Sequence, residues 1–245
     1  MHRLLLVFTF FLILSSCSED NNINPQKIID KAIAISGGEN YKNLEIEFSF
    51  RELQYRSKLQ DGNFEYERLA LKSNKTILDA YGNVKPFERF VNDTLVKIPD
   101  SLSNRIESSI NSVNYFVLLP FGLNDPAVNK KYLDKEMIKG KDYHKIQVTF
   151  NKEGGGEDFD DVYVYWFDTK NYKIAYLAYS YTVNGGGMRF KEAYNERIIS
   201  GLRFVDYNNY KPKDKNISLY DLGRLFENNQ LKLLSKIETE NIKIH

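Results

Sequence analysis

The sequence predicts a mainly β fold with packed helices, and three features carry that reading. Short segments alternate apolar with polar residues, and pairs such as Asp61-Gly62 and Gly185-Gly186 punctuate them. The chain also holds 17 tyrosines and 16 phenylalanines, residues that favour strands and fill cores. Helical spacing is confined to a leading segment, a mid-chain segment and a short one near the end.

Asn24 suits a helix N-cap and Pro25 the first helical position; Ile28, Ile29, Ala32 and Ile33 then form one face before Gly37-Gly38 ends the helix. Such a helix should lie on a sheet. Ile46, Phe48 and Phe50 alternate with Glu45, Glu47, Ser49 and Arg51, as in a half-buried antiparallel strand. Strands are expected next at 64–72, 76–81, 87–91 and 94–98, joined by turns at Asp61-Gly62, Gly82-Asn83 and Asn92-Asp93 into a meander. Asp100 or Ser101 can cap a second helix, in which Leu102, Ile106, Ile110, Val113 and Val117 recur at helical spacing until Pro120. Residues 115–123 are too apolar for a solvated connection, so this junction is either buried or covers something apolar.

Strand patterns resume at 132–138 and 143–150 around the turn Lys139-Gly140-Lys141-Asp142. Residues 162–168 are apolar on both faces, as in a central strand covered on each side. In 173–183, Ala175, Leu177, Tyr179, Tyr181 and Val183 are expected on one face, with Ile174, Tyr176, Ala178 and Ser180 on the other. Strands at 188–194, 196–199 and 201–208, a short helix near 219–227 and one last strand through 231–244 complete the expectation.

The first 17 residues speak to location. Arg3, an apolar run from Leu4 to Leu14 and small residues before Cys17 match a secretory signal too short to span a bilayer comfortably. Leu14-Ser15-Ser16-Cys17 resembles the lipobox of bacterial lipoproteins, which implies cleavage before Cys17 and acylation of that residue. A signal peptide at 1–16, a lipidated tether at 17–24 and one β-rich domain at 25–245 follow as expectations. Several acyl chains would anchor the chain stably. Ser18 after the cysteine implies, by likeness to sorting rules, the outer membrane, facing the periplasm or the cell surface. Cys17 is the only cysteine, so no internal disulfide can form.

Lys and Arg number 34 against 33 Asp and Glu, and loss of Arg3 with the signal makes them equal. With no basic stripe or recognised motif, nucleic acid is not an expected partner. The expected body is a monomer without a cofactor, held to a membrane by its lipid.

The whole mature chain resembles the outer-membrane lipoprotein carrier (LolA/LolB-like) architecture. The likeness rests on Ile35-Ser36-Gly37-Gly38 at the end of a leading helix, a meander, and Leu119-Pro120-Phe121 after a mid-chain helix. It also rests on Lys139-Gly140-Lys141-Asp142-Tyr143-His144-Lys145-Ile146 before Tyr165-Trp166-Phe167-Asp168. More narrowly, the chain looks like a family of uncharacterised lipoproteins with the same Gly-Gly and Trp-Phe-Asp segments. The resemblance implies one curved antiparallel sheet forming an open, incomplete barrel around helices, and a concave face for an apolar or amphiphilic, lipid-like ligand. Phe48, Phe50, Val113, Phe116, Val117, Leu119, Phe121, Trp166 and Tyr176 are the candidate lining. A filled core would carry the same alternation, and then the protein would be a scaffold that meets another protein or a glycan through its surface.

The loop Glu153, Glu157, Asp158, Asp160 and Asp161 gathers carboxylates among glycines and is a weak candidate for calcium, without the ligand order of an EF-hand. Catalysis has little support. The mature chain keeps His144 and His245 alone, and no nucleophile elbow, zinc helix or phosphate loop is present, so an envelope hydrolase ranks last.

Overall fold

The structure is a computed structural model and describes residues 23–156, 159–182, 185–214 and 216–245. Helix α1 spans Pro25–Ser36. Its N-cap is Asn24, whose side-chain oxygen accepts from the Gln26 amide at 2.9 Å, and it ends at Gly37 with φ 156°. A Cβ at Gly37 would lie 2.8 Å from the Tyr41 ring, so both the dihedral and the close approach call for glycine. Strands β1 (Asn43–Phe50), β2 (Leu53–Gln60), β3 (Asn63–Lys72), β4 (Lys75–Gly82), β5 (Glu88–Val91) and β6 (Thr94–Leu95) then form a meander. Helix α2 (Asp100–Val117) follows. Neither expected cap acts here: Pro99 holds the N-cap position without a side-chain bond, and Asp100 is already in the first turn.

The chain leaves α2 through a cis Leu119–Pro120 bond and a 3₁₀ turn, Phe121–Asn124. It continues as β7 (Val128–Ile138), β8 (Lys141–Phe150), β9 (Val162–Asp168), β10 (Ile174–Tyr181), β11 (Gly187–Ile199) and β12 (Leu202–Pro212). A 3₁₀ turn at Leu219–Asp221 leads into helix α3 (Leu222–Glu227), and β13 (Leu231–Ile237) and β14 (Thr239–Ile244) finish the chain. The signal peptide and most of the tether lie outside the described residues.

The single curved sheet of an open barrel is not what forms. Two seven-stranded antiparallel sheets form instead, in the orders β14-β1-β2-β3-β4-β5-β6 and β13-β12-β11-β10-β9-β8-β7, and neither curls or closes on itself. Two local causes divide them. Strand β6 stops after two residues, and Pro99, which has no amide proton to offer a ladder, leads the chain into α2 instead of across to β7. At the other end, the run expected as one strand bends at Glu238: Ile237 pairs with Tyr207 in the second sheet, whereas Thr239 pairs with Phe50 in the first. Asp206 pins this crossover by accepting from the Thr239 amide at 3.0 Å and from Arg197 at 2.8 and 2.9 Å.

The first sheet buries one face beneath α2. Leu44, Ile46, Phe48, Tyr55 and Leu59 pack with Val113, Val117 and Leu118, and also with Leu202 and Phe204 from the second sheet. The second sheet is covered on both faces. Ile146, Tyr165, Phe167 and Leu177 meet α1 and residues 119–123 on one side, while Val164, Trp166, Tyr176 and Phe190 meet α3 on the other. The expected two-sided burial of 162–168 holds. In β10 the expected faces are corrected by a bulge between Ile174 and Tyr176, which puts Ile174 with Leu177 and Ala175 with Tyr176.

Candidate functional site

The nine candidate lining residues do not meet in one place. Phe48, Phe50, Val113, Val117 and Phe121 belong to the core of the first sheet, where Phe48 stacks on Tyr55 with ring centres 5.3 Å apart and Phe121 stacks on Tyr41 at 4.9 Å. Phe116 and Leu119 face the second sheet from the same stretch of chain. Trp166 and Tyr176 are on that sheet's opposite face, under α3, and cannot share a cavity with the others. Residues 113–123 therefore cover two sheets at once. Helical geometry explains the division, since Val113 and Val117 are one turn apart on one side of α2 and Phe116 points away from them.

Under the last turn of α2 lies a layer of aromatic rings. Tyr115 packs edge-on against Phe150 and Tyr163, Phe116 lies 5.6 Å from Tyr179, and Tyr163 stacks on Tyr179 at 5.3 Å. The hydroxyls of Tyr115 and Tyr165 share a hydrogen bond. Lys191 enters this layer from β11 and is 2% exposed. Its Nζ stands 2.9 Å from the centre of the Phe116 ring, 5.3 Å from that of Tyr179 and 5.7 Å from that of Tyr207. Among the described residues the charge that acts on it is Arg189, of the same sign, while the buried Asp161 carboxylate acts on Tyr179.

Burial, with Arg189 adding to it, pushes the Lys191 amine well below the ordinary lysine range. The tyrosines supply no countercharge, because burial pushes the phenols of Tyr179 and Tyr207 up to about 12 and those of Tyr115 and Tyr165 higher still. Aromatic faces attract a desolvated cation by about 2 kcal/mol. Taking an ammonium out of water costs several. The rings thus offset part of the cost, and among the described residues no carboxylate makes an ion pair with this amine.

Sequence reasoning missed Lys191. Alternation along Phe190-Lys191-Glu192-Ala193 sets Lys191 opposite Phe190 and so suggests a solvated face. Only the covering by α2 turns that face inward.

The other candidates are quickly placed. Glu157 and Asp158 lie outside the described residues, as does Cys17. Asp160 accepts from the Thr182 hydroxyl at 3.1 Å, Asp161 is buried, and Glu153 sits on the wall of an open cleft of 640 Å³ between residues 125–127 and 151–154. Among the described residues, no three His, Cys, Asp or Glu side chains come together as a metal would need. His144 is buried beside the ring of Tyr172, and its Nδ1 lacks a hydrogen-bond partner. Burial, then Lys135 and Lys31, lower its pKa. Among the described residues, no helix is long and apolar enough to cross a membrane.

No curated protein matches the chain. Among solved structures, the chain is similar to the LolA superfamily protein NE2245 from Nitrosomonas europaea, at 12% identity over 91% of this chain and 94% of that one, with a TM-score of 0.47. It is also similar to a DUF1329 family protein from Desulfovibrio piger, at 12% identity over 89% of this chain and 92% of that one, with a TM-score of 0.48. The sequence profile of one family matches residues 2–239, nearly the full length, and the chain belongs to that family, DUF6503, a family of unknown function.

Proposed function

We propose that the mature protein is an envelope lipoprotein of the outer membrane, anchored through Cys17, that takes an apolar or amphiphilic molecule into the layer beneath the end of α2. The anchor is supported by the leader and by Leu14-Ser15-Ser16-Cys17. The observation that carries the binding role is the double cover formed by residues 113–123. Val113, Val117 and Phe121 seal the core of the first sheet, and Phe116 and Leu119 seal one face of the second. A displacement of this one segment opens apolar surface on both. The role asked of the protein is binding, with no chemical step.

Native mass spectrometry of the full chain after gentle extraction tests this reading. The expected result is a diacylglycerol-bearing Cys17 at the amino terminus and a second, non-covalent lipid mass. A clean protein mass would sink the binding role, and an unmodified Cys17 would sink the anchor.

A second reading, a scaffold with a filled interior, is favoured by one observation: Tyr165, Trp166, Phe167 and Phe190 are wholly buried in tight aromatic contact. Under that reading the clean mass is the expected one.

A further inference from the structure

We propose that Lys191 is the head-group anchor of the ligand site: it receives the anionic oxygen of an amphiphile whose chain lies in the aromatic layer beneath α2, after the ring of Phe116 moves off the amine. This rests on the binding role proposed above and names the class of ligand, an acyl chain ending in a carboxylate or a phosphate.

The argument starts from what surrounds the nitrogen. Phe116 comes from α2, Tyr179 from β10 and Tyr207 from β12, and all three present rings to it. On the same face of its own strand the nearest charged group is Arg189, two residues away, which repels it. A buried amine that served the fold alone would find a carboxylate or a carbonyl, as the other deeply buried lysine of this sheet does: Lys145 is 2.7 Å from Glu136 and 2.8 Å from the Tyr220 carbonyl. Lys191 instead meets the ring of a residue in the last turn of the covering helix. Phe116 therefore occupies the position an anion would take, and it belongs to the segment that must move for the layer to open. An anionic oxygen that reaches the amine favours its charged form and pairs with it through a charge-assisted hydrogen bond, which the aromatic rings do not supply. The apolar remainder of the ligand lies against Tyr163, Tyr179 and Leu119, which line the same face.

Isothermal titration of the full mature chain in neutral detergent near neutral pH tests this with three probes: oleate, dioleoyl phosphatidate and oleyl alcohol. Oleate or phosphatidate is expected to bind about tenfold or more tighter than the alcohol, the worth of one charge-assisted bond. An advantage for either anion supports the inference, and the one that has it identifies the head group. Lys191→Met should erase the advantage while still binding oleyl alcohol.

Equal affinity of the wild-type chain for the anions and the alcohol would overturn the inference and leave the binding role standing. So would an anion advantage that survives in Lys191→Met. Binding of none of the three would remove the binding role and this inference with it. If Lys191→Met fails to fold, Lys191→Gln takes its place with the same two outcomes.

Discussion

The two faces of the second sheet each bury a lysine, and the two are treated in opposite ways. On the α3 face, Lys145 is 7% exposed and is met by the Glu136 carboxylate and the Tyr220 carbonyl, while Trp166 donates its indole proton to the same carboxylate at 2.9 Å. Gly223 of α3 makes room for this cluster, because a Cβ there would stand 3.0 Å from the Trp166 ring. On the α2 face, Lys191 is met by aromatic rings and, among the described residues, by no carboxylate in an ion pair. The strands are the same and the burial is similar. What differs is whether the fold has completed the charge, and the incomplete face is the one closed by a helix end and a turn, not by a hydrogen-bonded cluster.

Removing charge from the two faces should therefore move stability in opposite directions. Glu136→Ala strands Lys145 and leaves the Trp166 indole proton without its acceptor, and should cost about 3–5 kcal/mol in urea unfolding, the usual penalty for breaking a buried pair. Lys191→Met removes a desolvated amine that no anion compensates, and should stabilise the ligand-free protein by about 2–3 kcal/mol near neutral pH. A destabilised Lys191→Met protein would break the comparison. The pH dependence sharpens it. Folded, Lys191 titrates below the ordinary lysine value, and on unfolding it regains that value. Between the two the unfolded chain holds the extra proton, so stability rises with pH through that window and is lower beneath it. Burial holds the phenols of Tyr179 and Tyr207, which face the amine, neutral up to about 12, so Lys191→Met should flatten this slope.

Much of the fold was legible because one face of each strand is apolar, and the exceptions are instructive. Strand β2 escapes a reading by alternation because Ser57 interrupts Leu53, Tyr55 and Leu59; it is fully buried, and its hydroxyl bonds Asn114 of α2. The division into two sheets hangs on single positions, Pro99 and Glu238, whose effect is set by pairings more than 150 residues apart in the case of Thr239 with Phe50. Periodicity carries no information about such partners. The aromatic lining was legible as apolar surface, yet apolar residues on a doubly covered sheet look alike on both faces, so Trp166 and Tyr176 were grouped with residues they never meet. Lys191 was illegible for the converse reason: nothing local marks a polar residue that tertiary packing buries.

Asp206 extends the contrast to the crossover between the sheets. Although burial raises its pKa, hydrogen bonds from Arg197, the Thr239 amide and Asn195 outweigh that and hold the carboxyl below the ordinary aspartate range. It is a buried charge completed by the fold, like Lys145. Its contribution is present above the ordinary aspartate value and is lost as pH falls through the lower folded one. Asp206→Asn should cost about 1–2 kcal/mol at neutral pH, by weakening the charge-assisted bonds, and should remove part of the acid-side loss of stability in a pH series of urea melts.

The smallest expected effect tests whether the two faces of the second sheet open independently. Helix α1 covers the Lys191 side, and its first turn is fixed by Asn24 and tied to the turn after α2, since Gln26 and Asn124 both donate to Asp30, at 2.7 and 2.8 Å. Asn24→Ala leaves the Gln26 amide without its cap and should cost about 1 kcal/mol. The distribution of that cost matters more than its size. Because α1 makes no part of the core under α3, amide hydrogen exchange should quicken along α1 and residues 121–124 while α3 and β13 keep their wild-type protection. Uniform acceleration across both faces would mean that the sheet and its covers melt as one unit, and a helix end that opens by itself over Lys191 would then have no physical basis.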